Sequence, residues 1–232
     1  PTTCRRQRQM CIRDSFGTAH REQASTHSAI KNAPIACAGL LLEREKNFLS
    51  RALNNYESPY VAVIGGAKVS TKLELIKCIS SVADYVIVGG GIANTFLKAS
   101  GLNIGKSLVE NSMINTAKDL LEKGKIILPN KVITSKTFEG EDIKEISVGD
   151  VSDEEMILDL DLNEETIELI AQAKTILWNG PIGVFENSAF SKGTRNLSEA
   201  IANSEAFSLA GGGETLLAIN KYIKPDDVSY CS

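Results

Sequence analysis

Three short apolar runs in this chain each end on glycine and pass at once into an amphipathic stretch. Tyr60-Val-Ala-Val-Ile64 meets Gly65-Gly66, Tyr85-Val-Ile-Val88 meets Gly89-Gly90-Gly91, and Phe207-Ser-Leu-Ala210 meets Gly211-Gly212-Gly213. Thr175-Ile-Leu-Trp178 follows the same grammar with Asn179-Gly180-Pro181. The runs are continuous rather than alternating, as in strands buried on both faces of a parallel sheet. Helical periodicity fills the intervals at 70–82, 92–98, 112–121, 164–173 and 189–202, and again up to Tyr222. Residues 38–53 read as a further helix, and 125–128, 131–134 and 228–230 as further strands. The acidic stretch 139–161 predicts a strand fragment and an excursion. Strand–helix alternation of this kind predicts an α/β fold, a doubly wound parallel sheet with right-handed crossovers. The ligand edge of such a sheet lies at the carboxyl ends of its strands, where the glycines fall.

At 232 residues the chain is long enough for one domain or one and a half. Its 43% hydrophobic and 23% charged residues exclude a disordered chain and a disulfide miniprotein. The net charge of -4 is unevenly placed: residues 1–13 hold four Arg and no acid, and the remainder carries 21 basic against 29 acidic side chains. So acidic a body is a poor nucleic-acid binder, which leaves an Arg-headed nucleic-acid reading only the first thirteen residues. No apolar run approaches the ~18 residues of a membrane helix, and the basic head lacks the apolar stretch of a secretory signal. The five Cys are odd in number and irregular in spacing, without C-x-x-C, so neither a zinc site nor a disulfide framework is expected. Reduced thiols suit a cytoplasmic protein.

A glycine turn that feeds a helix lets a ligand approach closely and offers it free N–H groups at the positive end of the helix dipole. Gly211-Gly212-Gly213-Glu214-Thr215 has that form, although neither G-x-x-x-x-G-K-[ST] nor G-x-G-x-x-G occurs. Lys68 and Lys72 stand four apart after Gly65-Gly66, on one face at a helix start, and suit a polyanion. Glu186 is either an acceptor for ribose hydroxyls or a first-turn acid. Glu214 opposes a bound phosphate unless Mg²⁺ lies between them; otherwise it is an acid that stabilises its helix through the dipole. Arg21, beside His20 and after Phe16-Gly17-Thr18-Ala19, is a natural fork for a phosphate or carboxylate. No Ser/His/Asp or Cys/His arrangement can be argued, and Trp178 reads as core.

In combination these motifs are specific. Asp14-Ser-Phe-Gly-Thr-Ala-His-Arg21, Gly65-Gly-Ala-Lys-Val-Ser-Thr-Lys72, Gly89-Gly-Gly-Ile-Ala-Asn-Thr-Phe-Leu-Lys98, Trp178-Asn-Gly-Pro-Ile-Gly-Val-Phe-Glu186 and Gly211-Gly-Gly-Glu-Thr215 resemble phosphoglycerate kinase, in that family's order and at about its spacings. The resemblance implies a three-layer α/β/α, Rossmann-like fold in two lobes, one for 3-phosphoglycerate and one for Mg-ADP or Mg-ATP. It implies a glycolytic phosphotransferase that moves a phosphoryl group between 1,3-bisphosphoglycerate and ADP. By resemblance, 1–13 would be a leader outside the family and 14–37 the tail of the substrate lobe. Residues 38–54 would be the interdomain helix, and 55–232 the nucleotide lobe, truncated at its C-terminal end. A fragment of that kind is expected to bind nucleotide without completing transfer alone. The alternative is a non-catalytic nucleotide-binding α/β module.

The same resemblance gives the residues their roles. Arg21 would hold the 3-phosphoglycerate phosphate, with His20 beside it. Lys72 would contact nucleotide phosphate and the transferring phosphoryl group, assisted by Lys68. Gly89, Gly90 and Leu158 would lie by the adenine, Asn179 near the phosphates and Glu186 at the ribose. Gly211, Gly212, Gly213 and Thr215 would cap the phosphates, with Glu214 the Mg²⁺ ligand. The implied partners are small molecules, with no nucleic acid and no membrane, and the expected state is a monomer. Two departures stand out: Glu214 occupies a position where the family has Asp, and Leu158-Asp-Leu-Asp-Leu162 lacks the family's Gly and Pro.

Overall fold

The computed structural model describes residues 10–14, 16–18 and 21–232. The chain divides into two compact units, residues 1–55 and 56–232.

In the first unit, β1 (Met10–Arg13) pairs in parallel with β2 (Ile35–Ala38), Met10 opposite Ile35 and Arg13 opposite Ala38. Residues 10–13 lie on the leader side of the boundary expected at Asp14, yet they form this strand. A π-helical turn, Ala24–Ser28, runs into α1 (Ala29–Lys31) between the strands. The helix expected at 38–54 is α2 (Leu40–Leu53). Its N-cap residue is Gly39, which has no side chain to cap with, and Asp14 supplies the missing acceptor from a distance. The Asp14 Oδ1 accepts from the N–H groups of Leu41 (2.6 Å) and Leu42 (3.1 Å). A carboxylate there satisfies two orphan donors and suits the helix dipole.

The second unit carries a six-stranded parallel sheet in the order β11-β10-β9-β3-β4-β5. Its strands are β3 (Tyr60–Ile64), β4 (Tyr85–Val88), β5 (Ile126–Ile127), β9 (Thr175–Asn179), β10 (Phe207–Ala210) and β11 (Tyr230–Cys231). All five residues of β3 are buried, as its unbroken apolar run requires of a strand covered on both faces. The covering helices are α3 (Val69–Val82), α4 (Gly90–Ala99), α5 (Ile114–Leu121), α6 (Glu164–Gln172), α7 (Lys192–Ala202) and α8 (Gly213–Tyr222). Asn163 caps α6 by accepting from the Thr166 N–H at 2.9 Å. Three of these helices start two or more residues from the periodic reading, among them α5, which is expected from 112 and begins at Ile114 after a 3-10 turn, Asn111–Met113. α4 begins at Gly90, two residues early, because tertiary packing overrides the poor helix propensity of glycine. α7 begins only after a short 3-10 turn, Ser188–Phe190.

Residues 131–161 do not extend the parallel sheet. They build a three-stranded antiparallel sheet, β7-β6-β8, from β6 (Lys131–Ser135), β7 (Lys144–Ser147) and β8 (Met156–Asp161). β6 pairs antiparallel with both neighbours, Lys131 opposite Ser147 on one side and Asp161 on the other. The excursion expected at 139–161 thus resolves into strands, with Leu158 and Asp159 buried in the middle of β8. Among the described residues, no helix is long and apolar enough to cross a membrane.

Candidate functional site

The strand order reverses between β3 and β9: the chain leaves β3 toward β4 and β5, then returns on the other side through β9, β10 and β11. Loops diverge at such a switch point and leave a crevice outside the carboxyl ends of the strands. Here the two loops interlock first. The Gly65 N–H donates to the Asn179 carbonyl at 3.0 Å. A Cβ on Gly65 would stand 1.8 Å from the Pro181 carbonyl oxygen, and one on Gly180, whose φ is +115°, would stand 2.4 Å from the Gly65 oxygen. The second glycine turn is as tight. A Cβ on Gly89 would reach 2.5 Å from the Ile182 Cα, one on Gly90 2.9 Å from the Gly66 oxygen and one on Gly91 2.2 Å from the Ala67 oxygen. These glycines are required by the approach of one turn to the next.

The third turn is different. A Cβ on Gly213 would meet nothing within 4 Å, and on Gly211 its nearest neighbour would be the Asn179 Nδ2, 3.8 Å away. Gly212, at φ +98°, is the N-cap of the ten-residue α8. Of the three glycine turns singled out in the sequence, this one therefore leaves open space in front of a helix N-terminus. It is braced from behind. Asn179 Nδ2 donates to the Gly211 carbonyl at 2.9 Å. The buried Thr215 hydroxyl donates to the same carbonyl and accepts from the Gly180 N–H, both at 2.8 Å. Thr215 thus spends its hydroxyl inside the turn, holding Gly180 and Gly211 together.

Lys72, in the first turn of α3, is half-buried and reaches across the interlocked loops. Its Nζ donates to the carbonyls of Gly65 (2.5 Å) and Asn179 (2.9 Å). Burial lowers its pKa, while the charge of Glu214 opposes that shift by favouring the ammonium. Lys68, the exposed N-cap residue of α3, lies near enough to Glu110 to favour its ionised form, after the Ser70 hydrogen bonds that dominate that shift.

Beside these turns opens a cavity of about 210 Å³. Gly66 and Ala67 form one wall, Gly90 and Asn94 a second, and Leu158 and Asp159 of β8 a third. Pro181 to Val184 close it, and Leu108, Phe138, Glu186 and Glu214, all four exposed, are among the other lining residues. The site gathers Gly90, Leu158, Glu186 and Glu214 directly. Gly89, Asn179, Gly211, Gly212, Gly213, Lys72 and Thr215 lie in the turns around it, and Lys68 stands at its α3 end. Arg21 is exposed in the first unit, and His20 lies outside the described residues.

Sequence reasoning passed over Asn94, Phe138 and Asp159. Phe138 follows no motif. Asp159 sat in a run read for its missing Gly and Pro, yet it is the buried floor of the cavity. Its Oδ2 accepts from the Gly193 N–H at 2.8 Å and its Oδ1 from the Leu160 N–H at 2.9 Å. Gly183 and Gly193 crowd it so closely that a Cβ on either would fall within 2.6 Å of its Oδ1. Burial pushes its pKa from the ordinary carboxylate range up to about 7, although the two N–H donors pull the other way. The native state therefore holds this proton where the unfolded chain has released it, so folding stability falls as pH rises from about 4 to about 7. Asp159→Asn, which mimics the protonated form, is expected to flatten the slope of melting temperature against pH across that interval. Thermal unfolding of both proteins at several pH values reads the difference, and parallel slopes would count against a buried, proton-holding Asp159.

Among the described residues no group of three or more His, Cys, Asp or Glu side chains could hold a metal ion. The lone carboxylate of Glu214 fits an ion such as Mg²⁺, which commonly takes one or two protein carboxylates and completes its shell with waters and substrate phosphates.

A family model described as phosphoglycerate kinase matches residues 4–232, so the match includes most of the Arg-rich head. The phosphoglycerate kinase of Vibrio campbellii is 50% identical over 224 residues, which cover 95% of this chain and 58% of that protein. Among solved structures, phosphoglycerate kinase from Coxiella burnetii superposes with a TM-score of 0.91 at 47% identity, covering 97% of this chain and 60% of that one. The enzyme from Pyrococcus horikoshii gives 0.79 at 31% identity, with 96% and 58% covered. The chain thus spans about three-fifths of the length of the relatives it matches.

Proposed function

The chain belongs to the phosphoglycerate kinase family, and from that premise we propose that its second unit holds the nucleotide during phosphoryl transfer between 1,3-bisphosphoglycerate and ADP, the reaction that yields 3-phosphoglycerate and ATP. The observation that carries the reading is the contrast among the glycine turns. Those after β3 and β4 are filled by neighbouring backbone, while Gly211–Gly213 faces open space at the start of α8. Phosphates placed there meet free N–H groups and the positive end of the helix dipole.

An acyl phosphate is already activated. An ADP phosphate oxygen attacks phosphorus, the carboxylate of 3-phosphoglycerate leaves, and neither event requires a protein nucleophile. The protein's part is positioning and neutralisation of charge. Lys72, fixed by the Gly65 and Asn179 carbonyls, brings its ammonium to the phosphate edge. Lys68 adds a second cation, and Asn179, already bonded to Gly211, orders the turn. The base enters the cavity between Gly90 and Leu158, and Glu186 at the rim accepts from the ribose hydroxyls. Glu214 would hold Mg²⁺ at this edge, where the ion would supply neutralisation of phosphate charge. Arg21, with His20, would hold the phosphate of 3-phosphoglycerate. The reaction is cytoplasmic and its partners are small molecules.

Titration calorimetry with ADP, with and without Mg²⁺, tests the nucleotide half directly. Mg-ADP is expected to bind the chain more tightly than ADP in EDTA, and Glu214→Gln to remove about tenfold of that advantage, the worth of one charge-assisted contact. Identical affinities of the wild type with and without the metal would overturn the role of Glu214. No ADP binding under either condition would overturn the nucleotide reading itself.

A further inference from the structure

Phe185 and Glu186 are the central pair of a turn that the Asn187 N–H closes by donating to the Val184 carbonyl at 3.1 Å. The peptide between such a central pair has no partner inside its own turn. Here its carbonyl, that of Phe185, is taken from outside. The Lys221 Nζ donates to it at 2.7 Å and the Tyr222 hydroxyl at 3.4 Å. Both donors stand in the last turn of α8, and neither lines the cavity. The ammonium lies against two rings, 5.3 Å from the centre of Tyr222 and 5.7 Å from that of the buried Phe185. The Tyr222 ring also carries the guanidinium of Arg195, from α7, at 5.6 Å. A surface lysine gives up rotamer freedom to hold such a pose. What this one holds is the peptide that leads into Glu186.

We propose that Lys221, with Tyr222 as a second donor, is a positioning residue for Glu186: it fixes the Phe185–Glu186 peptide and so aims the Glu186 carboxylate at the ribose hydroxyls. This rests on the nucleotide reading above and adds to it a residue that touches no ligand. Glu186 is exposed, so its own surroundings hold it loosely. Fixing the backbone before the ligand arrives lowers the ordering cost of binding. α8 extends the effect beyond the turn. The helix opens at Gly213, on the phosphate turn, and ends at Tyr222, about 15 Å further along at the rise of an α-helix. Glu214 and Lys221 stand seven apart and project from one face of it. One rigid element therefore carries the phosphate end of the site and, through Lys221, sets its ribose end.

The test titrates the whole chain calorimetrically with Mg-ADP and with the Mg complex of 2′,3′-dideoxy-ADP, which lacks both ribose hydroxyls. The wild type is expected to favour ADP by about ten- to a hundredfold, the worth of hydrogen bonds to a charged group. In Lys221→Met, which keeps the apolar stem and loses the donor, that preference is expected to fall by about three- to tenfold, the worth of one hydrogen bond. Affinity for the dideoxy analogue is expected to stay that of the wild type, whereas a lysine with only a structural role would weaken both ligands alike. In a Glu186→Ala background, Lys221→Met is expected to change nothing further, because residues that act through one another are not additive. Lys221→Gln, whose amide falls one atom short, is the second variant should methionine disturb the fold. If both variants keep the full preference or lose the two ligands equally, or if the losses add in Glu186→Ala, the assignment of Lys221 is overturned and the nucleotide site stands. If the wild type binds the two ligands equally, Glu186 does not hold the ribose, and the proposal falls with that role. If neither ligand binds, the nucleotide reading fails together with this one.

Discussion

Replacing Gly65 by alanine is expected to destabilise the second unit by more than about 4 kcal/mol, the range reserved for steric collapse within a core. The added methyl would lie 1.8 Å from the Pro181 carbonyl oxygen and 2.9 Å from the Gly180 carbonyl carbon, both backbone atoms with no side-chain freedom to yield. Relief requires the loops after β3 and β9 to separate, and these are the adjacent central strands of the sheet. Separation would also break the Gly65–Asn179 backbone bond and draw the two carbonyls away from Lys72. Gly213→Ala is the matched control. It adds the same methyl in open space at the first turn of α8, and a change within about 1 kcal/mol is expected. Urea unfolding of the three proteins, followed by circular dichroism, distinguishes them. A Gly65→Ala protein as stable as Gly213→Ala would refute the interlocked loops.

Lys72→Met is expected to act twice. It removes a cation from the phosphate edge, lowering Mg-ADP affinity by about ten- to a hundredfold, the worth of a charged hydrogen bond. It also leaves the carbonyls of Gly65 and Asn179 without their shared donor, at a cost of about 1–3 kcal/mol in stability. Lys72→Arg keeps the charge, but its planar fork does not fit the point between two carbonyls that a compact ammonium occupies, so rescue is expected to be partial at most. Calorimetric titration beside urea unfolding separates the effects. Wild-type affinity in a destabilised Lys72→Met would leave Lys72 as a bridge between loops and remove it from phosphate binding.

The parallel strands were legible because each is an apolar run too continuous for a half-exposed strand, and β3, with all five residues buried, is the extreme case. The ligand edge was legible from glycines at the strand ends. β8 was not. Its Leu158-Asp-Leu-Asp stretch puts a carboxylate where a core residue belongs, and only the N–H groups of Leu160 and Gly193 make that burial tolerable. Thr215 reads as a phosphate contact in its motif, yet its hydroxyl is engaged by Gly180 and Gly211. The helix α2 was legible, but its cap, Asp14, lies on a distant stretch of chain.

The sequence by itself determined the α/β class, the positions of the parallel strands and the family, since these depend on local runs and on motifs read in order. What each glycine does was decided only by tertiary structure. Gly65 and Gly213 are the same residue at equivalent strand-to-helix junctions, yet one is pressed against the backbone of Pro181 and the other faces open space. A Cβ clash is a property of whichever loop folds against the turn, and that loop comes from far along the chain. The proton held by Asp159 has the same origin: burial and the partners that separate segments supply around it.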